Sequence, residues 1–175
     1  ALAAEPGDQA VATAIGKPGA EMPGGVYRIG LPRSDLHVVL DGVTLKPALA
    51  LGSWLAFVPH GGGQAMVMGD LVLTDTEVNP VMAKLVAGGI EITALHNHLL
   101  RNTPHTMYMH IAGHGDPAQL AKVLHDALAL SGTPLSAPPA ASPAAPETSD
   151  LDTAALDRSM GHKGKIGGGV YAFGI

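Results

Sequence analysis

The chain has 175 residues, a formal charge of −5, no cysteine and 46% hydrophobic residues, at a mean hydropathy of +0.23, which is enough apolar material for one ordinary domain and a remainder. An acidic balance without any Lys/Arg cluster excludes the electrostatic footprint of a nucleic-acid binder. The lack of cysteine excludes disulfides, thiolate ligands and a thiol nucleophile, and no apolar run approaches the roughly 18 to 20 residues of a membrane span.

Aromatic residues make up only 3%, against 23 glycines and 14 prolines, so the core has to come from aliphatic side chains joined by many tight turns. The opening Ala1-Leu2-Ala3-Ala4-Glu5 has the small-residue character found around a signal-peptidase cut, which predicts an exported protein, periplasmic or extracellular. Val26 to Leu31 and Leu36 to Val43 read as strands, broken by Pro32-Arg33-Ser34-Asp35 and then by Asp41-Gly42. Trp54 to Pro59 and Ala65 to Leu73 form a hairpin around Gly61-Gly62-Gly63. Neither this glycine run nor Gly167-Gly168-Gly169 has the context of a phosphate loop, so both are assigned to turn chemistry.

Val78, Val81, Met82, Leu85 and Val86 follow the spacing of one buried helical stripe, stopped by Gly88-Gly89. Ile90 to Leu99 is then a strand, and Met107 to Ala112 is its partner beyond a loop through Pro104. Asp116 as N-cap and Pro117 at the first position open a last helix that runs through Leu128 to near Gly132. The sum is an α+β domain, an antiparallel sheet with helices packed on one face, spanning 1–130.

Residues 131–150 are a Pro/Ala/Ser-rich linker. Residues 151–175 repeat the start of the chain: Gly16 and Gly19 are matched by Gly161 and Gly164, Gly24-Gly25-Val26-Tyr27 by Gly168-Gly169-Val170-Tyr171, and Gly30-Leu31 by Gly174-Ile175. A period of about 144 to 145 residues is the size of a duplicated domain rather than of a solenoid repeat. The tail is therefore expected to be the opening helix and strand of a second, truncated copy. Val170 to Ile175 should pair as an edge strand, with a sheet of the first copy or with the remainder of the second.

Four histidines fall within residues 94–110, ALHNHLLRNTPHTMYMH. Alternation puts His96 and His98 on one strand face, roughly 7 Å apart. If Leu99 to His105 form the loop, His110 lies opposite His96 and Tyr108 opposite His98, and three imidazoles converge with an open fourth position for water or substrate. Glu77 is the candidate fourth ligand or general base. Thr74-Asp75-Thr76-Glu77 also fits a capping box, but Pro80 favours Thr76 as N-cap, which would leave the Glu77 carboxylate free. His105, His114, His125, His37 and His60 are expected to face solvent. Met66 with Met68, and Met107 with Met109, occupy alternating strand positions; they are read as core filler, with copper ligation as the other option.

The strings GSWLAFVP, MVMGDLVLTDTEVNPVMAKLVAGGIEITALHNHLL and MYMHIAGHGD resemble the LppY/LpqO family of bacterial exported proteins and lipoproteins, over nearly all of residues 10 to 130. GHKGKIGGGVYAFGI is similar to the start of a second copy. The family is functionally uncharacterised, so the resemblance implies export and duplication more than chemistry, with its histidine signatures falling on His96, His98 and His110. This chain departs from the family pattern by ending where most of the second copy should follow.

Two classes of function follow. In the first, His96, His98, His110 and Glu77 hold a divalent metal, zinc first and copper as the alternative, in a hydrolase or lyase or in a non-catalytic metal-binding protein where Met107 or Met109 takes part. In the second, the histidines form a hydrogen-bonded cluster in a ligand-binding or assembly module. The partners left open are a small molecule, a second copy of the chain, and the rest of the second repeat.

Overall fold

The computed structural model describes residues 6–136 and 149–174; the leader-like first residues, most of the Pro/Ala-rich linker and Ile175 lie outside them. A six-stranded antiparallel sheet forms the centre of the domain. Its strands are β1 (Ala20–Met22), β2 (Val26–Pro32), β5 (Gly52–Pro59), β6 (Ala65–Thr74), β9 (Thr106–Gly115) and β7 (Glu91–His96), in that spatial order. Helices α1 (Pro6–Ile15), α3 (Asp75–Ala87) and α4 (Pro117–Leu128) cover one face. The expected α+β class is what the chain adopts.

Period-two alternation decides which residues are interior. Ile29 and Leu31 of β2, Leu55 and Phe57 of β5, Val67, Leu71 and Leu73 of β6, and Met109 and Ile111 of β9 all point to the helices. They meet Val78, Val81 and Leu85 of α3 and Leu120, Ala121, Leu124, Ala127 and Leu128 of α4. Gly69 sits on this face because the sheet packs too closely for a side chain there: an added Cβ would lie 2.8 Å from a Leu55 methyl and 2.9 Å from the Trp54 carbonyl oxygen.

The other face is covered only at one end, by a three-stranded sheet of β3 (Val39–Leu40), β4 (Val43–Thr44) and β8 (Asn102–Thr103) and the single-turn helix α2 (Pro47–Ala50). Val38, Leu45, Leu51, Val72 and Tyr108 form a second small core there. The strand read from Leu36 begins only at Val39, and the break expected at Asp41-Gly42 is the turn of a short hairpin, where Asp41 (φ 49°) and Gly42 (φ 84°) take the left-handed conformation.

Two cores are tied together by one buried cation. Arg33 is completely buried. It donates to the Val72 carbonyl (2.6 Å), to both Asp35 oxygens (2.9 and 2.8 Å) and to both Glu77 oxygens (2.8 and 3.0 Å). Glu77 also accepts from the backbone N–H groups of Thr74 and Gly132, each at 2.8 Å.

This overturns the expectation that Thr76 caps α3. Thr74 is the N-cap and Glu77 occupies the third helical position, reaching back to the Thr74 N–H. Pro80 is accommodated inside the helix because Thr76, Asn79 and Pro80 lie on its exposed side, where a backbone group left without its helical partner faces solvent rather than the core.

The tail, residues 149–174, repeats the local plan of the opening. Helix α5 (Thr153–Met160) ends on left-handed Gly161, as α1 is followed by left-handed Gly16. Strands β10 (Lys165–Gly167) and β11 (Val170–Ala172) form a hairpin through Gly168-Gly169, as β1 and β2 do through Gly24-Gly25. A Cβ on Gly164 would strike the Tyr171 ring, as one on Gly19 would strike Tyr27. β11 does not add to a sheet of the first unit, as expected of its own chain. It pairs with β10, and the tail meets the first unit where Lys46 Nζ donates to the Gly169 carbonyl (3.0 Å).

Removing Arg33 should be costly. Arg33→Ala leaves Glu77 without its counter-ion and is expected to lower unfolding stability by about 3–5 kcal/mol. Burial acts to raise the Glu77 pKa, but the Arg33 hydrogen bonds and charge and the Gly132 and Thr74 N–H groups outweigh it, and the carboxyl ends below its ordinary value. Its contribution is therefore complete above the unfolded pKa of about 4.3 and is lost as pH falls through the folded value. Urea unfolding between pH 7 and 3 checks both points: the acid limb should flatten in Arg33→Ala, and a variant of parental stability would exclude the clamp.

Candidate functional site

The open face of the sheet carries the histidines. In β9 alternation sends Met107, Met109 and Ile111 to the helices, and Tyr108, His110, Ala112 and His114 to the open side. Strand β7 alone would have placed Ala94 and His96 with Ile92, which faces the helical core. An irregularity at Thr93 changes this: Ile92 lies opposite Ile111, Ala94 opposite His110 and His96 opposite Tyr108. One extra residue turns the rest of the strand over, the usual effect of a β-bulge beside a site.

The expected register was two residues out, with His96 opposite His110. The faces survive a shift of two, so the histidines still meet, now on the diagonal. His96 Nε2 and His110 Nε2 face each other at 2.9 Å. Their rings are 4.8 Å apart between centroids.

His98 belongs to the same cluster but is placed differently. The chain leaves β7 at His96, so alternation no longer governs His98, and its ring packs edge-on against Tyr108 (4.3 Å) and His96 (4.9 Å). Tyr108 is the floor of the cluster. It is buried, its hydroxyl donates to the Ala50 carbonyl (2.7 Å), and burial, with the Asp70 charge adding, raises its pKa, so the phenol stays neutral.

Asp70 is the residue that motif reading missed. It lies directly opposite His110 on β6. Its Oδ2 is 3.8 Å from His110 Nε2, its side chain is 17% exposed, and Oδ1 is buried without a hydrogen-bond partner. The signal was present in AMVMGDLVLT, where a single charge interrupts an apolar strand at the same parity as two methionines. Buried polar atoms are nearly always paired, and here an unpaired carboxylate oxygen lies beside two facing imidazoles, free to accept a further bond.

Glu77 is not part of this cluster. Its oxygens are taken up by Arg33, Thr74 and Gly132, and its task is structural. The proposed roles of ligand and base rested on a free carboxylate, which the capping geometry removes. Met107 and Met109 are excluded as ligands beside His110, since both face the helices. Met66 and Met68, expected as core filler, are instead 45% and 58% exposed on the histidine side. Of the remaining histidines, His105 bonds Asp75 (2.7 Å), and His60 and His114 stand edge-to-face at 5.0 Å.

Among the described residues, no group of three or more His, Asp or Glu side chains is arranged so that it could hold a metal ion. His96 and His110 form a facing pair with Asp70 beside it.

Residues 9–130 match the model of a family described as Domain of Unknown Function (DUF1259), and the chain belongs to that family. No curated protein and no solved structure matches it. Among the described residues no helix is long and apolar enough to cross a membrane.

If Asp70 is there for a ligand rather than for the fold, Asp70→Ala should change the stability of the metal-free protein by less than about 1 kcal/mol, because one of its oxygens has no bond to lose and the other only a long ion pair. Thermal and urea unfolding of protein stripped with a chelator check this. A loss of several kcal/mol would make the carboxylate a structural element like Glu77.

Proposed function

We propose that this chain is a divalent-metal-binding protein whose site is built on His96 and His110, with Asp70 as the third donor and His98 at its margin. The observation that carries this reading is the pair of Nε2 atoms 2.9 Å apart next to the orphaned, buried Asp70 oxygen. Two imidazole nitrogens bound to one ion at about 2.0 to 2.1 Å stand roughly 2.9 to 3.4 Å from each other for coordination angles between tetrahedral and square. The 2.9 Å spacing of His96 and His110 meets the square end of that range and has to widen by about 0.4 Å for a tetrahedral ion. Two nitrogens and one carboxylate suit zinc and its divalent neighbours better than a soft monovalent ion.

Three protein donors leave an open position, which is the mark of a catalytic rather than a structural zinc site. A metal bound there would lower the pKa of a water or polarise a carbonyl, the chemistry of a hydrolase or lyase. His98, exposed at the edge of the cluster, is then the group best placed to exchange a proton with whatever occupies that position. We also infer that the tail is the opening of a second copy of the domain, supported by the matched left-handed glycines and hairpins.

The test is calorimetric titration of Zn²⁺ into tag-free protein. One ion per chain is expected, and His96→Ala and His110→Ala should each lose more than the roughly 10- to 100-fold that outer-sphere partners cost. His125→Ala, on α4 at the far side of the sheet, should bind as the parent does. Equal affinity in all these proteins, or no uptake by the parent, would exclude the metal and leave the histidines as a hydrogen-bonded cluster.

A further inference from the structure

The open face carries a second group of potential ligands that the site above does not use. His60 ends the β5 side of the β5–β6 hairpin, where its N–H donates to the Gln64 carbonyl (2.9 Å). His114 lies near the end of β9, directly opposite Met66 of β6. The two imidazole rings stand edge-to-face with centroids 5.0 Å apart, close to the 4.8 Å of His96 and His110. Both residues are exposed.

Met66 and Met68 need an explanation of their own. Methionine at alternating strand positions ordinarily fills a core, and Met109 does so at 0% exposure, whereas Met66 and Met68 are 45% and 58% exposed. They share the open face with His110 and His114: Met66 pairs with His114, Met68 with Ala112 and Asp70 with His110. A line of soft and borderline donors thus runs from His60, His114 and Met66, past Met68, to Asp70, His110 and His96. Thioether beside imidazole is the donor combination that favours Cu(I), whereas nitrogen and carboxylate favour zinc-like ions.

We propose that His60, His114 and Met66 form a second metal site, selective for Cu(I), at the opposite end of the open face from His96 and His110. The two ends of one sheet face then differ in ligand softness, and the protein sorts a monovalent soft ion from a divalent one by place.

The experiment is competition for Cu(I) against a chromophoric Cu(I) chelator, anaerobically with ascorbate, on the full chain already loaded with one equivalent of Zn²⁺. The parent should take one Cu(I) without releasing Zn²⁺. His60→Ala and His114→Ala should each weaken Cu(I) binding at least about tenfold, and Met66→Leu, which keeps size and apolarity, should weaken Cu(I) while leaving Zn²⁺ affinity as it was. Circular dichroism should match the parent, since all three side chains are exposed. Cu(I) uptake unchanged in His60→Ala and His114→Ala overturns the site. Uptake lost in His96→Ala but kept in those two also overturns it, by placing the copper in the first site. Should the parent bind no Zn²⁺ at all, the same competition run on metal-free protein still decides the Cu(I) site by the same variants.

Discussion

The buried Arg33 guanidinium holds the fold and its open face in register. It emerges from the end of β2, bridges to the start of α3 through Glu77, and donates to the Val72 carbonyl of β6. Glu77 in turn fixes the segment after α4 through Gly132. A fully buried cation is tolerable only when all its donors are used, and here every arm of the fork finds an acceptor. Val72 is two residues from Asp70 and packs with Tyr108 in the second core. The clamp therefore pins the strand that presents the orphaned carboxylate, without touching the histidines.

A second constraint is the irregularity at Thr93. Without it, alternation would carry Ala94 and His96 to the helical face along with Ile92, where an imidazole would be buried among aliphatic side chains. With it, β7 keeps Ile92 and Leu95 on the core side and puts Ala94 and His96 on the open side. The small Ala94 opposite His110 leaves room for that ring to lean towards His96. The covering hairpin of β3 and β4 with β8 stops short of this point, so Tyr108 is buried while His110 remains reachable.

Much of the fold could be read from periodicity because its long elements obey it. Of the expected stripe, Val78, Val81, Met82 and Leu85 pack on the core while Val86 is exposed, Asp116 and Pro117 cap α4, and the hairpin around Gly61-Gly62-Gly63 closes between the strands assigned to it. What failed depended on single local choices. The strand read from Leu36 starts only at Val39, and the contest between Thr74 and Thr76 as N-cap involves Arg33, 44 residues from Glu77 in the chain and invisible to any local pattern. The site was legible as a shared face but not as a register, since a shift of two residues leaves parity intact. Asp70 was hidden for the opposite reason: no motif contains it, and only the pairing of β6 with β9 brings it to His110.

The two faces of the sheet obey opposite rules, and the difference explains the methionines. On the helical face the interior positions are filled mostly by aliphatic side chains, with Tyr27, Phe57, Met107 and Met109 among them, and the packing is close enough that Gly69 cannot gain a methyl group. On the other face Val72, Thr106 and Tyr108 are covered at one end, and beyond them Trp54, Val58, Met66 and Met68 lie partly or largely in the open. An uncovered run of this kind is a hazard for edge and face association unless something occupies it. Arg28 answers part of that by lying over the Trp54 ring (5.4 Å). Branched residues would have made the rest of this face stickier and stiffer without adding chemistry, whereas methionine keeps the apolar character a strand needs and adds a donor atom to each alternate position. The residues that least resemble a core are therefore those that line up with His114, Asp70 and His110, and their placement follows the pairing of β6 with β9 rather than the needs of the fold.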